Sequence, residues 1–210
     1  MADLSEFRKV YDKGFLVETD LPHSPFDLFE NWFKAAAESG TYEANAMTLA
    51  TATANGYPRA RVVLLKSYDE NGFVFFTNYE SAKGRALAEN PQVCLAFFWE
   101  EQERQVIIEG VAEKTSREVT HTYFQSRPRE SQLGAWASPQ SSEATREELI
   151  QKLEQLNEMY PNEIPTPEHW GGYVVKPTKI EFWQGRPSRL HDRIVFENEN
   201  GSWKRYRVAP

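Results

Sequence analysis

The sequence predicts a mainly β protein with flanking helices (an α+β chain), whose antiparallel strands follow one another as a meander and close most economically as a barrel. Three observations carry this. Short apolar runs with alternating pattern, separated by turn signals, recur between Ala46 and Lys114 and again from Trp170 to the end. Helical spacing is confined to a few stretches. The aromatic content (13 Phe, 9 Tyr and 6 Trp) exceeds what a small helical bundle needs and suits sheets, pockets for flat ligands or a subunit interface.

The first 20 residues are polar and mixed in charge and read as a loosely held arm. Ser24-Pro25-Phe26-Asp27 starts a helix, with Ser as N-cap and Pro in the first turn. Phe26, Phe29, Trp32, Phe33 and Ala36 form its core face, and Gly40 ends it. Met47–Thr53 alternates as a strand, Asn55-Gly56 turns the chain, and residues 59–66 return. Asp69-Glu70-Asn71-Gly72 is a second turn, followed by the strand Phe73–Thr77. A short helix at about 81–89 precedes Asn90-Pro91, and strands follow near 93–99 and 105–114. Residues 116–125 and 145–159 read as helices; in the second, Leu149, Ile150, Leu153, Leu156 and Met159 make an apolar stripe for core or interface. Pro161, Pro165 and Pro167 then break the pattern. Strands at about 170–176, 179–184, 191–197 and 203–208 complete the chain, the last two joined across Asn200-Gly201. One domain accounts for the 210 residues.

The net charge of -7 (31 acidic against 24 basic side chains) argues against nucleic acid as a partner. The lone cysteine, Cys94, lies in an apolar run and is expected to be a buried thiol; no disulfide within the chain is possible. The N-terminus shows no signal pattern and no apolar run approaches the length of a membrane span, so the expected location is the cytoplasm. The four histidines, His23, His121, His169 and His191, lack ligand spacing, so no metal site is expected. No nucleophile elbow and no Gly-rich nucleotide loop appears.

Against this acidic background, Trp183–Arg193 concentrates Arg186, Arg189, Arg193 and His191 in eleven residues. Arginine forks bind phosphate and carboxylate through paired hydrogen bonds, which points to a small anion. Three further clusters agree. Arg61 and Lys66 end an apolar strand whose side chains alternate faces, so one ligand meets both only at the strand ends or along its edge. Ser81-Ala82-Lys83-Gly84-Arg85 lies at a helix start, where free backbone N–H groups suit phosphate. Tyr123, Arg127 and Ser131 combine a phenol, a guanidinium and a hydroxyl at a helix end and the loop after it, and Gln140-Ser141-Ser142 adds neutral donors. The residues imply one or two phosphate-bearing small molecules and leave the reaction open.

Taken in order, these segments resemble the pyridoxamine 5′-phosphate oxidase family along nearly the whole chain. The matching parts are Arg61–Lys66, Phe75-Phe76-Thr77-Asn78, Glu103–Val106, Ser126–Trp136, Gln140–Ser142, His169–Gly172, Glu181–Gly185, Arg189–Arg193 and Val208-Ala209-Pro210. The resemblance implies an FMN-binding split β-barrel that forms a homodimer with FMN at the interface. It implies oxidation of pyridoxamine or pyridoxine 5′-phosphate to pyridoxal 5′-phosphate by hydride transfer from C4′ to the flavin N5, with O2 as the final acceptor, hydrogen peroxide as product and ammonia released from the amine. Carried over by position, Arg61, Val62, Val63, Leu64, Leu65, Lys66, Phe76, Thr77, Lys83, Gln105, Gln140, Ser141, Trp183 and Arg193 fall on FMN contacts. Lys66, Tyr123, Arg127 and Ser131 fall on substrate-phosphate contacts. Arg189, Leu190 and His191 fall on the substrate, with Arg189 and His191 near the transferring hydrogen. Arg8 and Tyr11 match a lid, so residues 1–20 become an arm or lid on a single domain over 21–210, whose segment from about 167 serves dimerisation and substrate.

Two positions depart from the family pattern. Ala82 stands where an arginine usually contacts the flavin phosphate, with Arg85 expected to substitute from the same helix face. Phe76 replaces a common tyrosine. Two rival readings are a flavin reductase on the same barrel and a non-catalytic module that binds flavin or pyridoxal phosphate; the phosphate cradle weighs against the first, the full set of matched positions against the second.

Overall fold

The computed structural model describes residues 2–210, so Met1 of the predicted arm lies outside the described residues. Helix α1 (Pro25–Glu38) leads into strands β1 (Ala46–Ala52), β2 (Pro58–Leu64), β3 (Ser67–Asp69) and β4 (Gly72–Asn78). Helix α2 (Ala82–Glu89) connects to β5 (Gln92–Trp99) and β6 (Arg104–Lys114). Helices α3 (Arg117–Ser126), α4 (Arg129–Ala137) and α5 (Arg146–Met159) then precede β7 (Trp170–Gln184), β8 (Asp192–Glu199) and β9 (Ser202–Arg207). The caps follow the sequence: Ser24 accepts from the Phe26 N–H, Ser81 from Gly84, Ser116 from Val119, and Thr145 with Glu148 closes a reciprocal capping box on α5.

The sheet runs in the order β2-β1-β5-β6-β7-β4-β3, with β8 on β7 and β9 on β8. This is not the expected meander. Local hairpins form as predicted, but β5 pairs with β1 and the β3–β4 hairpin pairs with β7, in antiparallel register from Phe73↔Val175 to Asn78↔Trp170. Hairpin turns are written in adjacent residues, whereas the choice of sheet neighbour depends on distant ones. The β8–β9 turn has Asn200 and Gly201 both at positive φ (55° and 90°), as the Asn-Gly signal requires.

Other boundaries also differ. The predicted strand 59–66 breaks before Leu65, which is buried, and the Lys66 N–H bonds the Val74 carbonyl. The two strands expected at 170–176 and 179–184 are one, β7. Pro177 falls between the pairing with β4, which ends at Val175, and the pairing with β8, which begins at Lys179. Helix α4 was expected as a loop. Pro128 before it and Gly134 within it mask a helix whose buried face is Gln132, Leu133 and Ala137. On α5 only Leu156 of the apolar stripe is buried; Ile150, Leu153 and Met159 are exposed. Cys94 is half-buried rather than enclosed, and burial with the charge of Glu109 raises its thiol pKa.

The chain forms two compact units. One comprises the chain up to Leu49, Cys94–Gly110 and Pro177–Pro210. Its core joins the α1 face (Phe29, Trp32) to Phe97, Trp99, Phe182 and Phe196, with Trp32 edge-on to Phe182 at 5.2 Å and the Trp99 indole N–H donating to the Ala44 carbonyl. The other comprises Ala50–Val93 and Val111–Lys176. Here Phe75 stacks on Tyr173, and Phe124, Leu133, Ala137, Leu156, Ile164 and Trp170 form a second cluster.

Helix α2 lies so close to the preceding turn that a Cβ on Gly84 would sit 2.0 Å from the Tyr79 carbonyl oxygen. Gly84→Ala must push the helix away, and is expected to cost about 1–3 kcal/mol in urea unfolding. An unchanged midpoint would contradict this packing.

Candidate active site

A cavity of about 910 Å³ opens in the second unit, within the range of ligand pockets. Its lining includes Arg59, Arg61, Lys66, Lys83 and Arg127, and no aspartate or glutamate. Five cations without a carboxylate, in a chain of net charge -7, define the electrostatics of the site. The predicted residues Arg61, Val62, Val63, Leu64, Lys66, Phe76, Thr77, Lys83, Tyr123, Arg127, Ser131, Gln140 and Ser141 all line it. Leu65 does not; it points into the core.

At one corner the start of α2 holds Lys83. Its ammonium is buried and donates to Thr77 Oγ1 (3.0 Å), Gln140 Oε1 (2.9 Å) and Ser81 Oγ (3.3 Å). Every acceptor is neutral. Burial, and next the nearby Arg61 guanidinium, lower its pKa from 10.5 to about 8. Arg61 is anchored to Thr51 Oγ1 at 2.8 Å, and burial lowers its pKa as well. Ser141, at φ 70°, turns its hydroxyl to accept from the Ala82 N–H. Arg85, expected to substitute at position 82, is absent from the cavity wall. It is exposed, and its guanidinium is turned back onto the Glu80 carbonyl instead of the cavity.

At the other corner Arg127 caps α3 and Ser131 lies in the first turn of α4. The Gln132 amide fixes the bend by donating to the Gln125 and Arg127 carbonyls. The Arg127 guanidinium lies 4.6 Å over Trp170, and its Nη1 is buried without a hydrogen-bond partner among the described residues. Such an orphan is costly unless an acceptor joins it. Phe76 and Tyr123 stack at 4.0 Å, each nearly parallel to Trp170, giving this side a flat aromatic wall.

The remaining predicted residues belong to the first unit. Trp183 and Arg193 face each other across the β7–β8 register. Arg193 is held by Glu181 in a two-point pair (2.9 and 2.8 Å) that raises its pKa, and it donates to the Ala209 carbonyl. His191 packs on Trp183 at 4.7 Å, and its Nδ1 accepts from the Arg186 backbone N–H, which places the neutral ring's proton on Nε2. Arg189 and Leu190 are exposed. Ser188 and Arg189 both have positive φ (57° and 61°), a strained conformation for side-chain-bearing residues. Tyr11 lies edge-on to Trp183 at 5.6 Å, while the Glu103 carboxylate accepts the N–H groups of Asp12 and Lys13. The arm is thus tied down from Tyr11 onward. Arg8 is exposed, its side chain donating to the Ser5 carbonyl and its backbone N–H to the Glu6 carbonyl; Gln105 is half-buried on β6.

Sequence reasoning missed Arg59, Asn78, Pro128, Ser138 and Trp170 in the cavity wall. Arg59 was legible, two residues before Arg61 and on the same strand face.

An antiparallel sheet with flanking helices, around a cationic cavity with a stacked aromatic wall, defines a protein that takes flat phosphorylated ligands. The family model described as pyridoxamine 5′-phosphate oxidase matches residues 33–158, and that of the pyridoxine 5′-phosphate oxidase C-terminal dimerisation region matches 170–210. The pyridoxine/pyridoxamine 5′-phosphate oxidase of Polynucleobacter asymbioticus is 50% identical over 211 residues, covering 100% of both chains. That of Leptospira interrogans is 52% identical over 210 residues, covering 99% of this chain and 98% of its own. Among solved structures, PhzG from Burkholderia lata, in complex with tetrahydrophenazine-1-carboxylic acid, superposes with a TM-score of 0.88 at 30% identity, covering 93% of this chain and 98% of its own. The chain belongs to the pyridoxamine 5′-phosphate oxidase family, with its split-barrel fold.

Lys83 carries its charge below pH 8 and loses it above. Affinity for an anionic ligand in this corner falls as pH rises through 8, by up to about tenfold per unit. Calorimetric titration of the apoprotein with FMN between pH 7 and 9.5 measures this, and a flat profile would remove Lys83 from the anion site.

Proposed function

We propose that the protein oxidises pyridoxamine or pyridoxine 5′-phosphate to pyridoxal 5′-phosphate, with FMN as cofactor and O2 as the final acceptor. The carrying observation is the cavity lining: five cations, no carboxylate, and one aromatic wall. Its two corners match two monoesters, one on FMN and one on the substrate. Among the described residues the buried Lys83 ammonium has neutral partners and Arg127 Nη1 has none. Both fit a phosphate oxygen.

Lys83, Arg61, Thr77, Gln140 and Ser141 would hold the FMN phosphate and chain, with residues 62–66 along its length. When bound, FMN supplies the two-electron acceptor and passes the electrons to O2, which leaves as hydrogen peroxide. Lys66, Tyr123, Arg127 and Ser131 hold the substrate phosphate and so fix which face of the substrate ring is presented. Arg189 guides the substrate from an exposed, strained turn. His191, whose Nδ1 is taken by the Arg186 N–H, tunes hydrogen bonding near C4′ through Nε2. Tyr11 buttresses His191 and Trp183 from the arm, and Arg8 extends that lid. The active form is a homodimer with FMN at the interface, where Gln105, Trp183 and Arg193 supplement the cavity residues. The match of residues 170–210 to the dimerisation region supports this.

Oxygen uptake by the purified yellow protein, with each phosphorylated substrate, is the test. Turnover to pyridoxal 5′-phosphate with peroxide release is expected, and Arg189→Ala should lower it about tenfold or more while leaving bound FMN unchanged. Turnover only with a nicotinamide donor would make the protein a reductase; colour without turnover would make it a binding module.

A further inference from the structure

We infer that Arg59 binds the FMN phosphate and supplies the cation that the start of α2 lacks at Ala82. The inference rests on FMN as the occupant of the cavity.

Arg59 lies on β2 two residues before Arg61, so both side chains leave the same face of the strand, and both line the cavity. Arg61 is anchored to Thr51. Arg59 has no carboxylate or hydrogen-bond partner among the described residues and is exposed. Like charges side by side on one strand face repel, so the pair costs stability unless an anion joins it. The proximity is felt: the Arg59 charge contributes to lowering the Arg61 pKa, and Arg61 in turn contributes to lowering that of Lys83. Arg59, Arg61 and Lys83 therefore form one run of positive charge along the cavity wall. At the helix start itself, Ala82 offers a methyl group and a backbone N–H already given to Ser141, and Arg85 is turned away to Glu80. Among the described residues nothing pairs with Arg59 on this side of the cavity. A guanidinium can meet a phosphate with two parallel hydrogen bonds, which the single Lys83 ammonium cannot.

The test uses the apoprotein and fluorescence titration with FMN and, separately, riboflavin, which has the same ring and no phosphate. Arg59→Ala is expected to weaken FMN about tenfold, leave riboflavin unchanged and make FMN binding less dependent on salt. Arg59→Lys, which keeps the charge without the fork, should fall between. Ala82→Arg should gain less than about threefold in the wild-type background and recover most of the loss in the Arg59→Ala background. Circular dichroism and size-exclusion chromatography establish that each variant folds and assembles. Unchanged FMN affinity in Arg59→Ala overturns the inference, as does an equal loss for FMN and riboflavin. A raised substrate KM with FMN affinity intact also overturns it, assigning Arg59 to the substrate monoester instead. A wild-type protein that binds no FMN refutes the cofactor reading itself, a distinct result.

Discussion

A buried ammonium group with no carboxylate beside it is the constraint on which the site depends. Lys83 satisfies its three N–H bonds on Thr77, Ser81 and Gln140, all neutral, while Arg61 opposes it. Proteins rarely bury a charge without a partner. The surrounding fold makes the arrangement possible. Ser81 caps α2, Gly84 lets the helix approach the Tyr79 carbonyl, and β4 delivers Thr77 opposite Gly171 of β7. Each feature is needed to hold Lys83 in place, and none lowers its charge. In the proposed function an anion recovers that cost.

Arg127 Nη1, without a hydrogen-bond partner among the described residues, repeats the logic with different means. Cation–π contact with Trp170 holds the guanidinium over an aromatic face, and Gln132 locks the α3–α4 bend that aims it. In the proposed function the two corners receive phosphates, while Arg189, assigned to guide the substrate, sits on an exposed turn where it and Ser188 both have positive φ.

Local chemistry was legible in the sequence and long-range pairing was not. The Ser24 cap and the helix start at Ser81 follow from one or two residues each, as does the Asn200-Gly201 turn. The sheet order escaped because β5 and β4 choose partners far away in the chain, and nothing in a hairpin signal names them. Helix α4 escaped because Pro128 and Gly134 depress its propensity while Leu133 and Ala137 supply burial that only the tertiary fold reveals. In the site, arginine-rich segments pointed to an anion, and the resemblance named it. The orientation of Arg85 away from the cavity and of Arg59 into it depended on which face of each element the cavity occupies. The fork between Glu181 and Arg193, and the His191 tautomer set by the Arg186 N–H, likewise rest on contacts that spacing cannot specify.

The central claim is that two phosphate monoesters neutralise the two cationic corners of one cavity. A crystal structure with FMN and pyridoxal 5′-phosphate bound tests it most directly. The account predicts one phosphate in hydrogen-bond contact with Lys83 and Arg61, and the other on Arg127 Nη1 and Lys66. Both phosphates lying away from these four side chains, with the Lys83 ammonium still on neutral acceptors alone, would contradict it.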